Sequence, residues 1–268
     1  HLLLVVALPT MMAALAKPSD KSVVMGLWGT FFGVGYALLA FVIPSIEAWG
    51  GVRAVYVGHG LLLAAILPVV WLCLPRVMAA GGVMPNFIAV HRAIYANPSY
   101  FAPGLGHGIY TAIFIALVAF LPAKLDAIWL TPVLPLANLS GTFASGFIAR
   151  HIPASKLSIG GFVVAGILFA VLGMSGSIIV ALCAMFAIGV TAGANFAAVP
   201  EFNETPQDQA LANGAMAQLG NVGTFSGTPI YALVAASLWG IVGVSIIICV
   251  AGVMFAGFAY RLARKSAA

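Results

Sequence analysis

The sequence predicts an all-α, polytopic transmembrane helix bundle, and three observations predict it. Hydrophobic residues make up 63% of the chain and charged residues only 6%, whereas a soluble domain carries about 25% charged residues. So few charges cannot cover a water-facing surface of 268 residues, and lipid must touch most of the exterior. The apolar residues come in runs of about 20, the length a helix needs to cross the hydrocarbon core. The alternation of barrel strands is absent. A backbone in lipid must pair its own polar groups, so each run should be helical.

Nine runs qualify: roughly 1–16, 23–47, 52–75, 101–122, 127–149, 157–175, 177–199, 210–236 and 239–263. The first starts at His1 inside apolar sequence, without a methionine or a signal-peptide pattern, so a fragment whose beginning is missing is expected. Placing the 16–23 loop in the cytoplasm and alternating puts Lys17, Lys21, Arg76, Arg92, Arg150, Lys156, Arg261, Arg264 and Lys265 on that side. Only Arg53 and Lys124 fall on the other. This positive-inside bias sets the orientation and supports the count, because one missed span would scramble it. Trp49, Trp129 and Trp239 fall at outer ends, where aromatic rings anchor helices, and Trp28 and Trp71 near inner ends. The longest connection, 76–100, holds Gly81, Gly82, Pro85 and Pro98. It divides the chain into 1–75, a cytoplasmic linker 76–100, and 101–268. The cations are scattered singly with no basic patch, which argues against nucleic acid. Cys73, Cys183 and Cys249 lie in separate apolar runs, with no metal-pair spacing, and read as small hydrophobes. No cofactor or metal is expected.

Two stretches 188 residues apart match without a gap. Pro18, Asp20, Gly26, Val34 and Gly35 align with Pro206, Asp208, Gly214, Val222 and Gly223. In each, a proline ends the preceding helix, and an aspartate can cap the next one where its dipole favours an anion. The glycines allow close helix contact. A parallel repeat of this kind points to two six-helix halves related about the membrane normal. If the first copy lies between helices four and five of its half, the chain holds helices 4–12 of twelve.

The stretch Leu8-Pro9-Thr10, Lys17-Pro18-Ser19-Asp20-Lys21, Gly26-Leu27-Trp28-Gly29-Thr30 and Gly33-Val34-Gly35 resembles the helix 4 to helix 5 segment of the major facilitator superfamily. Trp49-Gly50-Gly51-Val52-Arg53 resembles its Gly-Trp-Arg turn with the order disturbed. Gly146-Phe147-Ile148-Ala149-Arg150-His151 with Lys156 is similar to the second copy of its cytoplasmic glycine–aspartate–basic motif. Arg150 stands where the aspartate would be, and Pro153 where a glycine would be. The resemblance implies two bundles rocking around a central site. It implies that helices 1, 4, 7 and 10 line the cavity, that 2, 5, 8 and 11 flank it, and that 3, 6, 9 and 12 face lipid.

The polar residues test that layout. Runs 157–175 and 239–263 carry little beyond Ser158, Ser245 and Cys249. Run 127–149 places Thr131, Pro135, Asn138, Thr142 and Ser145 on one face, and run 210–236 does so with Gly214, Gln218, Asn221, Phe225 and Thr228. His107, Tyr110 and Thr111 group on run 101–122, and Thr191 pairs with Asn195 on run 177–199. Polar groups at mid-membrane depth face a protein interior or a wet cavity. The candidate substrate-binding set is therefore His107, Tyr110, Thr111, Asn138, Thr142, Thr191, Asn195, Gln218 and Asn221. Interhelical hydrogen bonds explain Asn138, Gln218 and Asn221 as well as a ligand does. Gly189 to Gly193 is a small-xxx-small pattern suited to packing. His107, between Gly106 and Gly108, could bind a solute or shuttle a proton. His59, between Gly58 and Gly60, is the weaker case.

All six acids, Asp20, Glu47, Asp126, Glu201, Glu204 and Asp208, lie in loops or at run ends. A neutral or weakly charged organic solute fits best. The expected function is secondary active transport by alternating access, with uptake or efflux and any coupling proton or ion left open. A transporter-like sensor or an inactive remnant is the alternative. A membrane enzyme is third, because no metal-protease pattern, paired aspartates or nucleophile–base pair is visible. The expected setting is a monomer in a bacterial inner membrane.

Overall fold

The computed structural model describes residues 2–73 and 86–267. Arg76, Gly81, Gly82, Pro85 and the Cys73 side chain lie outside them. Among the described residues every element is helical. In chain order they are α1 (Leu2–Leu15), a 3₁₀ turn (Pro18–Asp20), α2 (Lys21–Cys73), α3 (Phe87–Ala96) and α4 (Pro98–Lys124). Then come α5 (Leu130–Ile148), α6 (Ala154–Ser175), α7 (Ile178–Phe202) and α8 (Pro206–Ala232). The last are α9 (Leu238–Ala251), a π-helical turn (Gly252–Ala256) and α10 (Gly257–Ala267), which run on as one rod.

Local chemistry sets the ends. Asn97 accepts a hydrogen bond from the Ser99 amide at 3.0 Å, and Pro98 opens α4 where its missing N–H costs nothing. Thr205 caps α8 by accepting from the Asp208 amide at 3.1 Å, ahead of Pro206. The cap expected of Asp208 therefore belongs to Thr205, and Asp208 sits in the first turn, where the dipole still favours it. α2 leaves helical geometry only at Gly50 and at Gly51, whose φ of 65° a residue with a Cβ resists. The two runs foreseen at 23–47 and 52–75 are thus two arms of one kinked element. Within the expected linker, α3 occupies 87–96 behind an Asn86 cap.

Among the described residues, six stretches are long and apolar enough to cross a membrane: Pro18–Leu39, Phe41–Leu72, Pro98–Lys124, Ala154–Ser175, Ile178–Phe202 and Leu238–Lys265. The sequence suggested nine. α1 (Leu2–Leu15) is apolar along its 14 residues, and Val6–Leu15 is its fully described stretch. α5 and α8 reach 19 and 27 residues but fall outside the six. Asparagine, glutamine, serine, threonine and glycine lower their hydropathy, and both pack between other helices rather than standing free. α5 lies between α2 and α7, and α8 lies between α4 and α1. By contrast, Phe41–Leu72 buries none of its residues. Past the break at Gly51 its exposed surface is apolar but for Arg53 and His59, which suits lipid.

The tightest interfaces are backbone to backbone. A Cβ on Gly223 of α8 would overlap the Gly108 carbonyl of α4. On α7, Cβ atoms at Gly189 and Gly193 would overlap the Asn138 and Thr142 carbonyls of α5. A Cβ on Gly26 of α2 would sit 3.0 Å from Gly146 Cα of α5. The small-xxx-small pattern on α7 thus seats α5. Of the repeat-matched glycines, Gly26 and Gly223 stand at close contacts, while Gly35 and Gly214 meet nothing within 4 Å. The main core of large side chains, including Phe162, Phe169, Leu121, Leu134 and Met185, joins α4, α5, α6, α7 and α9. A smaller cluster of Ala13, Met25, Phe196, Val199, Ala212 and Met216 ties α1 and α2 to α7 and α8.

Gly223→Ala should lower stability by about 1–3 kcal/mol, because the added methyl group forces α4 and α8 apart. Gly214→Ala, on the same helix, should raise it by about 0.5–1 kcal/mol through backbone entropy alone. Unfolding of the two variants in detergent, side by side, checks both signs.

Candidate solute cavity

Between the two clusters the first arm of α2 meets α4, α7 and α8 around a cavity of about 80 Å³. That is several times the roughly 10–15 Å³ one water needs. Helical spacing builds each wall. His107, Tyr110, Thr111, Phe114 and Ile115 form the α4 stripe. Asn213, Met216, Ala217, Gly220, Asn221 and Thr224 form the α8 stripe. α7 contributes Ala192 and Phe196, and α2 contributes Trp28, Gly29 and Phe31. His107 lies nine residues into α4, about 14 Å along its axis.

The wall is aromatic and uncharged. The Trp28 and Phe31 rings lie 4.7 Å apart. The His107 ring meets the edge of Phe196 at 4.9 Å and tilts against Tyr110 at 5.4 Å. His107 is 8% exposed, and its Nδ1 has no hydrogen-bond partner; buried Trp28 Nε1 also has none. Such groups are costly to leave unmade, and two among the residues around one cavity, from α2 and from α4, require an explanation. Asn213 Nδ2 donates to Thr10 Oγ1 at 3.1 Å, tying α8 to α1 beside the cavity.

Of the nine residues singled out in sequence, His107, Tyr110, Thr111 and Asn221 line this cavity. Thr111 Oγ1 also donates to the Gly220 carbonyl at 2.8 Å, and Asn221 stands at the exposed edge. Asn138 lies one layer out. Its Oδ1 accepts from Tyr110 OH at 2.9 Å and its Nδ2 donates to the Met185 carbonyl at 3.2 Å. Thr142 donates to the Asn138 and Gly189 carbonyls, within the α5–α7 interface. Thr191 is buried between α6 and α7, with contacts of 3.5 Å to the Ser158 and Ala187 carbonyls. Asn195 Oδ1 accepts from Ser158 Oγ and Tyr260 OH, each at 2.7 Å. Gln218 accepts from Tyr95 OH at 2.8 Å on an exposed face. His59 lies on the unburied second arm of α2. Sequence reasoning missed Trp28, Phe31, Phe196, Asn213, Met216 and Thr224. The i, i+3, i+4, i+7, i+8, i+11 spacing on α8 starting from Asn213 is the signal that could have found Asn213, Met216 and Thr224.

At the basic end, Arg150 Nη2 donates to Asp20 Oδ1 at 2.7 Å, joining the 3₁₀ turn to the α5–α6 turn. Two motifs noted separately in the sequence thus meet. Glu201 of α7 accepts from the Ala154 amide at 2.5 Å and from Ser155 Oγ at 2.9 Å, a carboxylate at a helix N-terminus. Arg264 Nη2 donates to the same Ser155 hydroxyl at 2.6 Å. At the far end, Lys124 Nζ donates to the Ala236 carbonyl. Hydrogen bonds from Thr205, then from Tyr100, hold the Asp208 carboxyl below its ordinary value. Among the described residues no group of His, Cys, Asp and Glu is placed to hold a metal. No protein-family model and no curated protein sequence matches the chain.

Asn138→Ala should cost about 1–3 kcal/mol, since it strands the Tyr110 hydroxyl in a buried layer and removes the bond that ties α5 to the Met185 carbonyl. Because the Asp208 pKa is depressed on folding, its contribution is present above the ordinary carboxylate value and is lost as pH falls through the depressed one. Tyr100→Phe should therefore lower the melting temperature at pH 7. The gap to the parent protein should narrow below about pH 4, which a pH series of melting curves measures.

Proposed function

We propose that this chain is a secondary transporter of the major-facilitator type, moving a small organic solute across a membrane by alternating access. The observation that carries the reading is where the cavity lies. One wall comes from α2, before the linker, and the others come from α4, α7 and α8, after it. A cavity shared by two segments changes its exposure when one rocks against the other, whereas a cavity within a single bundle does not. Two residues that line it, Trp28 and His107, each carry a buried nitrogen without a protein partner. Among the described residues no carboxylate lines it.

The basic end acts as the gate in this reading. α2 and α5 touch at Gly26 and Gly146 and are clasped by Asp20 and Arg150. Both ion-pair side chains are about 40% exposed (39% and 42%), and an exposed pair is worth about 1 kcal/mol or less. Such a clasp holds a conformation without locking it. Breaking it should shift the balance of states by up to about fivefold.

Flux tests the proposal. The protein is reconstituted in liposomes and offered a broad panel of small organic solutes. In parallel, Thr224→Cys in the cavity and Ala197→Cys, in the recess beside Asp20 and Arg150, in a background without Cys73, Cys183 and Cys249, are probed with impermeant thiol reagents from each side. The expected result is flux of at least one solute and labelling of Thr224→Cys from both sides. Asp20→Asn should raise the labelling of Ala197→Cys up to about fivefold. Absence of flux across the panel, with Thr224→Cys reached from one side only, would overturn transport. Solute binding without flux would then point to a sensor.

A further inference from the structure

We infer that the cavity selects a neutral, planar heteroaromatic solute bearing a hydrogen-bond acceptor, with Trp28 and His107 reading its polar edge. The inference deepens the transporter reading and rests on it. Flat ring faces come from separate elements: Trp28 and Phe31 from α2, Tyr110 and Phe114 from α4, and Phe196 from α7. Tyr110 and Phe114 stack with centroids 5.6 Å apart, and Phe196 braces the imidazole. Ring faces arranged this way favour a ring between or against them in offset or edge contact, and a saturated ring gains less.

Charge narrows the class. Among the described residues no Asp, Glu, Lys or Arg lines the cavity, so a charged solute stripped of its water would meet no opposite charge there. The partnerless atoms narrow it further. An indole N–H can only donate, so Trp28 Nε1 calls for an acceptor that no protein atom supplies. Quaternary ammonium groups could lie on the rings, but they bring no acceptor and would leave that N–H unmade. His107 is held by ring contacts alone. Its Cδ2 and Nε2 face Gly220 on the opposite wall. A turn of the imidazole about Cβ–Cγ, which no hydrogen bond opposes, exchanges Cδ2 for Nδ1 and brings the partnerless nitrogen to that wall. Neutral imidazole offers one donor and one acceptor, so a solute with a carbonyl or ring nitrogen beside an N–H can satisfy both side chains.

Four near-isosteric probes separate the classes: nicotinamide, its carboxylate nicotinate, its cation 1-methylnicotinamide, and the non-planar cyclohexanecarboxamide. Benzamide and uracil extend the neutral planar set. Binding is read by calorimetry and by melting temperature on the detergent-solubilised chain. The expected result is binding of at least one neutral planar probe, with nicotinate, 1-methylnicotinamide and cyclohexanecarboxamide at least about tenfold weaker, a margin of about 1.4 kcal/mol. Trp28→Phe keeps the ring and removes the N–H, and should weaken that binding about fivefold to tenfold with an unchanged melting temperature for the free protein. His107→Phe gives a second test should the first variant fold poorly. Equal or tighter binding of a charged probe, no binding by any neutral planar probe, or affinity unmoved by both variants would overturn the inference. Flux separates the two readings. Neutral aromatic binding without flux sinks transport and leaves the ligand class. Flux of a charged or saturated solute, with no aromatic binding, sinks the class and leaves transport.

Discussion

The closeness of helix backbones at three interfaces governs the rest of the structure. Lipid is as apolar as leucine, so burying leucine between membrane helices gains little, and association depends on packing and on hydrogen bonds. α4 on α8, α5 on α7, and α2 on α5 each meet where glycine lets a neighbouring backbone in. Once those rods are seated, the space between α2, α4, α7 and α8 is no longer adjustable. The cavity is what remains between the large-side-chain core and the smaller cluster at the basic end.

Polar groups divide between two tasks under this constraint. Asn138, Thr142 and Thr191 spend their hydrogen bonds on neighbouring helices, and Asn195 does so through Oδ1 while its buried Nδ2 has no partner. They replace hydrophobic drive with direction, since each fixes one helix's rotation against the next. His107 and Trp28 are held by ring contacts and keep a nitrogen unmade. A side chain with every polar atom engaged specifies packing. One with an atom left over, on a cavity wall, is available to something else. The ion pairs at the basic end follow the same economy at lower stakes, because water shares their charge.

Much of the architecture was legible in the sequence. The sparse charge and the apolar runs determined an all-helical chain, and the ends of α4, α6, α7, α8 and the α9–α10 rod fall within a few residues of the runs. The break between the arms of α2 was visible as Gly50-Gly51. The packing role of Gly189 and Gly193 was also readable, because a small-xxx-small stripe has few other uses in lipid. Nine runs in the sequence stand beside six membrane-capable helices among the described residues, and at α5 and α8 the difference comes from polar residues that make periodicity and hydropathy disagree.

The direction of each face belonged to the tertiary structure alone. On α8 the polar stripe through Gly214, Gln218 and Phe225 lies one residue away from the cavity stripe through Asn213, Ala217 and Thr224. On α7 the pair Thr191 and Asn195 lies one residue away from Ala192 and Phe196. One residue is a 100° turn of a helix, enough to exchange a cavity for a packing seam. Sequence periodicity shows that a polar face exists, but it is blind to what stands opposite. Rotation is set by the neighbour, through contacts such as Asn195 with Ser158 and Tyr260, between residues 37 and 65 positions apart. The sequence by itself determined helices, their lengths and which could approach closely, because those follow from local composition and spacing. Which side chains share a cavity, and which polar atoms are left without a partner there, was decided only when the helices packed.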